Sequence, residues 1–320
     1  MRFKYFNGSV IKIVSLALAF IGFLNLSLFS PNIVQAFPIY AQQAYENPRE
    51  TTGRIICANC HLAQKPVTIE APQSILPNTV FETIVKIPYD SQKQQILGNG
   101  TKGPLNVGAI VILPEGFKLA PANLVPNDIK EKTKNIYIQP YSTNRPNVLV
   151  VGPIPGNQNQ EISFPILSPD PNTNKNVHFF KYPIYAGGNR GRGQIYPTGD
   201  KSNNNAIISS SNGKIINIRD LEQGGYTISI EKKDGIIIEE NIPKGLDLRV
   251  SQGDQIISSQ LLTVDPNVGG FGQNETEIVL QNPTRIKWMI TFFFVITIAQ
   301  IFFVIKKKQW EKVQAAEMNF

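Results

Sequence analysis

Thr79-Val80-Phe81-Glu82-Thr83-Ile84-Val85-Lys86-Ile87 is a run of mostly β-branched and aromatic side chains, closed by Pro77-Asn78 in front and Pro88 behind. Side chains that branch at Cβ or carry a ring suit a pleated, half-buried surface better than a helix. The run therefore predicts a strand. The same texture recurs at Val107–Leu113, Asn135–Ile138, Asn147–Val151 and Val177–Tyr185, each bounded by Pro, Gly or Asn. The chain has 23 prolines and 24 glycines, a density that works against long helices in this region. A mainly β protein built on a sandwich is the fold class these segments imply.

Further along the texture changes. A polar run, GDKSNNN, leads into AIIS, KIINI, YTISI, GIIIEENIP, LRV and QIISSQLLT. Short strands spaced by glycine turns, and more highly charged than before, predict a second, small β domain at 198–263. Proline and glycine then return in DPNVGGFGQ, and a final strand at Glu277–Leu280 is expected to rejoin the first sheet. The large domain is then 37–197 with 264–284, and the small domain is an insertion. There is no internal repeat, P-loop or dinucleotide fingerprint. Asn274-Glu275-Thr276 fits a glycosylation sequon, with nothing to indicate a compartment that would use it.

Both ends of the chain address a membrane. Residues 1–36 have Arg2 and Lys4 at the start, apolar residues from about Ile13 to Phe29, and Val34-Gln35-Ala36 as a small-residue cleavage site. That is the layout of a removable export signal. At the other end, Trp288 to Ile305 is free of charge, with Lys287 before it and Lys306-Lys307-Lys308 after it. A helix over 286–305 is long and apolar enough to span a bilayer. The lysines place the tail, 306–320, on the cytoplasm-like side and the body on the export side. Of the net charge of +7, the first 36 residues carry +3 and the segment from Ile286 onward another +3, leaving +1 on the body. A basic pI therefore reflects topology. A nucleic-acid-binding protein needs a basic domain or stripe, so that class is excluded.

The chemistry lies in Cys57-Ala58-Asn59-Cys60-His61, which contains both cysteines and one of the two histidines of the chain. C-x-x-C-H is the attachment signature of a c-type haem: each thiol forms a thioether, and the adjacent imidazole ligates the iron. A redox C-x-x-C belongs in a thioredoxin-like βαβ pattern, which is absent. A structural zinc site needs four ligands at a spacing the sequence does not offer. One covalently held haem c is the expected cofactor.

The sixth iron ligand is left open by the residues alone. Met1 leaves with the signal, Met289 lies in the membrane helix and Met318 in the opposite-side tail, so no methionine reaches an export-side haem. His178, a nitrogen from lysine or from the new N-terminus, and an open site remain. Deprotonating an α-amine is cheaper than deprotonating a lysine by about 3–4 kcal/mol. Cleavage after Ala36 creates such an amine at Phe37, stiffened by Pro38. An open site would instead make the protein a haem enzyme or gas sensor.

FPIYAQQAYENPRETTGRIICANCHLA, GPLNVGAIVILPEGF, HFFKYPIYAGGNRGRGQIYP, DPNVGGFGQ and KKKQWEKVQAAEMNF resemble the cytochrome f family, and the similarity covers essentially the whole chain. The family is the haem-bearing subunit of the photosynthetic cytochrome b6-f complex. The resemblance implies an Ig-like β-sandwich with an inserted barrel-sandwich-hybrid-like small domain, in the thylakoid lumen of a plastid or cyanobacterium. It implies thioethers at Cys57 and Cys60, axial ligation by His61 and by the α-amino group of Phe37, and haem packing by Tyr40, Pro38 and Pro153. It implies a water chain lined by Gln95, Asn189, Arg192, Gln194 and Asn204, where composition alone reads GGNRGRGQ as a solvated turn. It implies an electron-transfer subunit without catalytic acid–base residues. The donor would be the Rieske iron–sulfur protein, and the acceptor plastocyanin or a soluble c-type cytochrome. The plant pattern of docking lysines is thinned here. Lys102 matches one position and Lys93 partly substitutes, while Gln94, Thr101 and Gln223 stand at others. Weaker electrostatic steering is the consequence expected.

Overall fold

A computed structural model of the chain describes residues 38–318. The expected signal, 1–36, and Phe37 lie outside the described residues. Two sheets face each other in the main body. One is four-stranded in the order β1 (Thr68–Glu70), β3 (Val80–Lys86), β10 (Glu161–Leu167), β7 (Lys118–Leu119). The other is six-stranded in the order β2 (Ser74–Ile75), β16 (Gly270–Leu280), β11 (Lys181–Arg190), β6 (Asn106–Ile112), β9 (Arg145–Pro155), β8 (Ile138–Ser142). A separate four-stranded sheet has the order β14 (Ile237–Ile242), β13 (Tyr226–Glu231), β12 (Gly213–Asp220), β15 (Gln255–Ile256), and β4 (Gln94–Ile96) and β5 (Lys102–Pro104) form a hairpin.

Strand periodicity explains the packing. Successive side chains point to opposite faces. Phe81 and Val85 of β3, Phe164 of β10, Val111 of β6, Leu149 of β9 and Ile184 of β11 meet in one buried core between the two sheets. The alternate residues of the six-stranded sheet, Ile110, Val148 and Val150, are also buried, but on its outer face. A sheet covered on both faces reads as a continuous apolar run, which is why Val107–Leu113 has no polar face. The small sheet has its own core of Ile215, Ile228, Ile230 and Leu246.

Three expectations shift at their edges. Asn135–Tyr137 precede strand β8 rather than opening it, because helix α2 (Asn127–Thr133) lies just before and Ile136 N–H turns back to Thr133 O at 3.1 Å. Val177–Phe180 stay out of β11: Val177 N–H closes a turn on Asn174 O at 3.1 Å, and His178 N–H donates to the Tyr182 hydroxyl at 3.0 Å. The last strand starts at Gly270, seven residues ahead of Glu277, and pairs with β11 throughout. Gly270 and Gly272 there are not loop punctuation. A Cβ on Gly272 would lie 2.0 Å from Lys65 O, so only glycine lets segment 63–65 run alongside.

Helix α3 (Pro283–Glu317) is the one long, apolar helix among the described residues, and none of its side chains is buried. Asn282 caps it, accepting from Thr284 N–H at 2.9 Å and Arg285 N–H at 3.2 Å, with Pro283 at the first position. Its charge-free stretch, Trp288–Ile305, is about 27 Å long at 1.5 Å per residue, matching a hydrocarbon core of about 30 Å. The helix continues past the three lysines, beyond the span expected from apolarity alone.

Candidate haem-attachment site

Ile56–Asn59 form one 3-10 turn. Cys60 N–H and His61 N–H both donate to Cys57 O, at 3.3 and 3.0 Å. The two thiols and the imidazole are thereby held on a single turn. Cys57 and Cys60 are free and half-buried. Ile55 and Ile56 anchor the turn by packing with Ile110, Val148, Val150 and Phe271 on the outer face of the six-stranded sheet. Ile55 N–H donates to Gln273 Oε1 at 2.9 Å, tying the turn to β16.

Helix α1 (Ile39–Ala44) covers the same face. The Tyr141 hydroxyl is shared between Ala41 O at 2.7 Å and Tyr45 O at 2.6 Å, and Gln42 Nε2 donates to Tyr141 O at 2.6 Å. Pro38 stands at the head of α1, and Tyr40 meets Tyr196 edge-on with centroids 6.5 Å apart. Pro153 is half-buried on β9, beside the Val107–Ile154 pair.

His61 is buried. Its Nε2 lies 3.3 Å from Asn189 Nδ2, and its Nδ1 has no hydrogen-bond partner. Burial lowers its pKa to about 4, so the ring is neutral at pH 7. A neutral imidazole is the form that ligates a metal. Burial, the largest cause, also pushes the Cys57 thiol up to about 12 and raises Cys60 in the same direction. Two reduced thiols and a neutral imidazole with an orphaned nitrogen on one turn fit a covalently attached haem. Among the described residues no group of three or more His, Cys, Asp or Glu converges, as a zinc site would require. A cavity of about 620 Å³ flanks His61, with Ala58, Leu62, Phe271, Arg54 and Lys65 among its lining.

Gln95, Arg192, Gln194 and Asn204 are brought together with this turn. Gln194 N–H donates to Cys60 O at 2.7 Å, and Gln194 Oε1 accepts from Leu62 N–H at 3.0 Å. Gln194 Nε2 and Asn204 Nδ2 both donate to Arg192 O, at 3.2 and 2.9 Å. Arg192 N–H donates to Gln95 Oε1 at 2.8 Å. The network runs from Cys60 to Asn204, whose Oδ1 is buried without a partner. Asn189 joins through His61. The run GGNRGRGQ is therefore no solvated turn: Gly187, Gly188, Arg190 and Gln194 are buried.

His178 is exposed and sits ahead of Lys181, at the end of β11 opposite Asn189. At about 3.3 Å per residue, Lys181 and Asn189 are about 26 Å apart, which removes His178 as a partner for a group on His61. Lys93 and Lys102 are exposed, and Lys102 lies 3.5 Å from Asp247.

Two residues of the site carry no signal in the sequence. Arg190 is buried at 1 % exposure, donates to Pro66 O at 2.6 Å and leaves Nε unpaired; burial lowers its pKa to about 10. Gly108 admits Asn189: a Cβ there would stand 2.7 Å from Asn189 Oδ1.

A C-x-x-C-H turn seated on a β-sandwich, in a chain with one C-terminal apolar helix, defines a membrane-anchored c-type cytochrome. Residues 37–191 match the family described as Apocytochrome F, N-terminal, and residues 203–320 match Apocytochrome F, C-terminal. Cytochrome f of Gracilaria tenuistipitata var. liui is 67% identical over 303 residues, covering 95% of this chain and 98% of that protein. Cytochrome f of Porphyra purpurea is 69% identical over 297 residues, covering 93% of each. That of Chlorokybus atmophyticus is 63% identical over 290 residues, covering 91% of each. The chain belongs to the cytochrome f family. Members of that family are c-type haem subunits of the cytochrome b6-f complex, acting in photosynthetic electron transport at the thylakoid membrane.

Proposed function

We propose that this protein carries electrons from the Rieske iron–sulfur protein of the cytochrome b6-f complex to a soluble lumenal acceptor, plastocyanin or a c-type cytochrome. The observation that supports the reading most is the neutral His61, whose backbone N–H donates to Cys57 O at 3.0 Å on the same turn as both thiols. One haem c, attached at Cys57 and Cys60, supplies a one-electron iron couple when bound. His61 and the α-amino group of Phe37 would hold the iron. Pro38, Tyr40 and Pro153 shield the pocket. Gln95, Asn189, Arg192, Gln194 and Asn204 hold ordered water, an assignment that suits the unpaired Asn204 Oδ1.

In this reading residues 1–36 are removed on export. The large domain, 37–197 with 264–284, and the small domain, 198–263, lie in the lumen. Residues 286–305 cross the membrane and 306–320 face the stroma or cytoplasm. No substrate bond is broken by this chain, so no residue is assigned an acid–base role; the plastoquinol-oxidising activity belongs to the complex as a whole.

Surface charges chiefly set the association rate. The body carries a net charge of only +1, and Lys102 is partly neutralised by Asp247. Oxidation of the reduced protein by an acidic plastocyanin is expected to slow only gently as salt rises. A steep fall with ionic strength contradicts the docking assignment, and failure of the reduced protein to pass electrons to either acceptor contradicts the carrier reading.

A further inference from the structure

Hairpin β4–β5 belongs to the large-domain part of the chain, yet one face of it joins the polar network beside Cys60 and the other the small-sheet core. Gln95 and Ile96 are neighbours on an extended strand and so point to opposite sides. Gln95 is 2 % exposed on the haem side, its Nε2 donating to Pro104 O at 2.9 Å and its Oε1 accepting from Arg192 N–H at 2.8 Å. Ile96 is 4 % exposed on the other side, inside the small-sheet core with Ile215, Ile228 and Leu246. The two strands are short, so the hairpin has little stability of its own.

Its remaining ties all run between the same two regions. Arg192 Nη1 donates to Ile96 O at 2.9 Å, and Asn203 Nδ2 donates to Leu97 O at 2.9 Å. At the turn, a Cβ on Gly100 would lie 2.7 Å from Lys244 O, so the hairpin tip lies directly on the small-sheet segment. Arg192 is the hub of the network that ends on Cys60: its N–H is satisfied by Gln95 and its carbonyl by Gln194 and Asn204.

We infer that Ile96 is a positioning residue. Packing of the small-sheet core around Ile96 fixes Gln95 against Arg192 and thereby sets the polar network beside the haem-attachment turn. The small domain then acts as the clamp that holds one wall of the haem environment in register. The reading rests on the proposed haem function for one of its two readouts only.

The test uses the haem-loaded protein with Ile96→Ala, Ile96→Val and Ile230→Ala. Ile230 lies in the same core on β13, off the hairpin. The measurements are backbone amide exchange at Arg192 and Gln194, and the haem midpoint potential. Ile96→Ala is expected to speed exchange at Arg192 by about tenfold, as local opening of the hairpin frees its N–H, and to shift the potential. Ile96→Val keeps the branched shape and is expected to move both readouts in the same direction by less, so it carries the test if the alanine variant does not fold. Ile230→Ala loosens the same core without touching the hairpin, and is expected to move both readouts in the same direction by less than Ile96→Ala. Unchanged exchange at Arg192 in both Ile96 variants overturns the inference, as does an equal change in Ile230→Ala. A parent protein without covalent haem would sink the functional reading while leaving the exchange comparison intact.

Discussion

The two faces of the six-stranded sheet are made by alternate residues of the same strands, yet they differ in kind. The inner face, with Val107, Val111, Leu149 and Ile184, meets the opposing sheet in an apolar core. The outer face has Ile110, Val148 and Val150 as its floor, but its upper layer is the C-x-x-C-H turn, the Tyr141 hydroxyl and the Asn189 amide. The inner face makes the fold. The outer face uses that fold as a platform, because a site built on rigid strands is held more precisely than one on loops. Adjacent positions in a strand thus carry different obligations, and substitutions can separate them.

The largest effect is expected at the turn itself. Replacing both thiols, Cys57→Ser with Cys60→Ser, removes covalent attachment, so the haem is lost on denaturing electrophoresis. Retention of a haem-staining band would break the assignment of the turn. Next, Ile184→Ala on the inner face and Ile110→Ala on the outer face should each cost about 2–5 kcal/mol in urea unfolding, since both delete a buried branched chain. Only Ile110→Ala should also alter the haem absorption spectrum. An equal spectral change from Ile184→Ala would erase the distinction between the faces.

Much of this was legible in the chain, for physical reasons. Thr79–Ile87 declares itself because β-branched runs closed by proline have few alternatives, and β3 occupies Val80–Lys86. Cys57, Cys60 and His61 declare themselves because three reactive groups within five residues are held by local geometry alone. Gln95, Arg192 and Asn204 do not: they meet through register and a long-range hairpin, and only the family resemblance pointed to them. Val177–Phe180 misleads because strand-forming residues were captured by the Tyr182 hydroxyl and an asparagine turn. Arg190 offers no signal, since composition never predicts a buried, half-satisfied guanidinium.

Two smaller effects sharpen the comparison. Gly108→Ala puts a methyl group 2.7 Å from Asn189 Oδ1, the movable end of a side chain, and 3.1 Å from Val151 O. A stability loss of about 1 kcal/mol is expected, together with a haem spectral shift as Asn189 leaves His61. A spectrum identical to the parent would mean that Asn189 does not report on the site. The smallest effect is at Lys102→Ala, which removes an exposed ion pair with Asp247. Stability should change by less than about 1 kcal/mol, and oxidation by an acidic acceptor should slow slightly at low salt only. A large loss of rate at high salt would place Lys102 in a contact rather than a steering role.

The most direct test of the central claim is carbon monoxide binding to the reduced, signal-cleaved protein, followed in the haem spectrum. In an electron carrier, His61 and the Phe37 amine would both hold the iron and leave no place for carbon monoxide, so the spectrum should not change even at high carbon monoxide. Ready binding would show an open or labile site, contradict the carrier account and favour a haem enzyme or gas sensor.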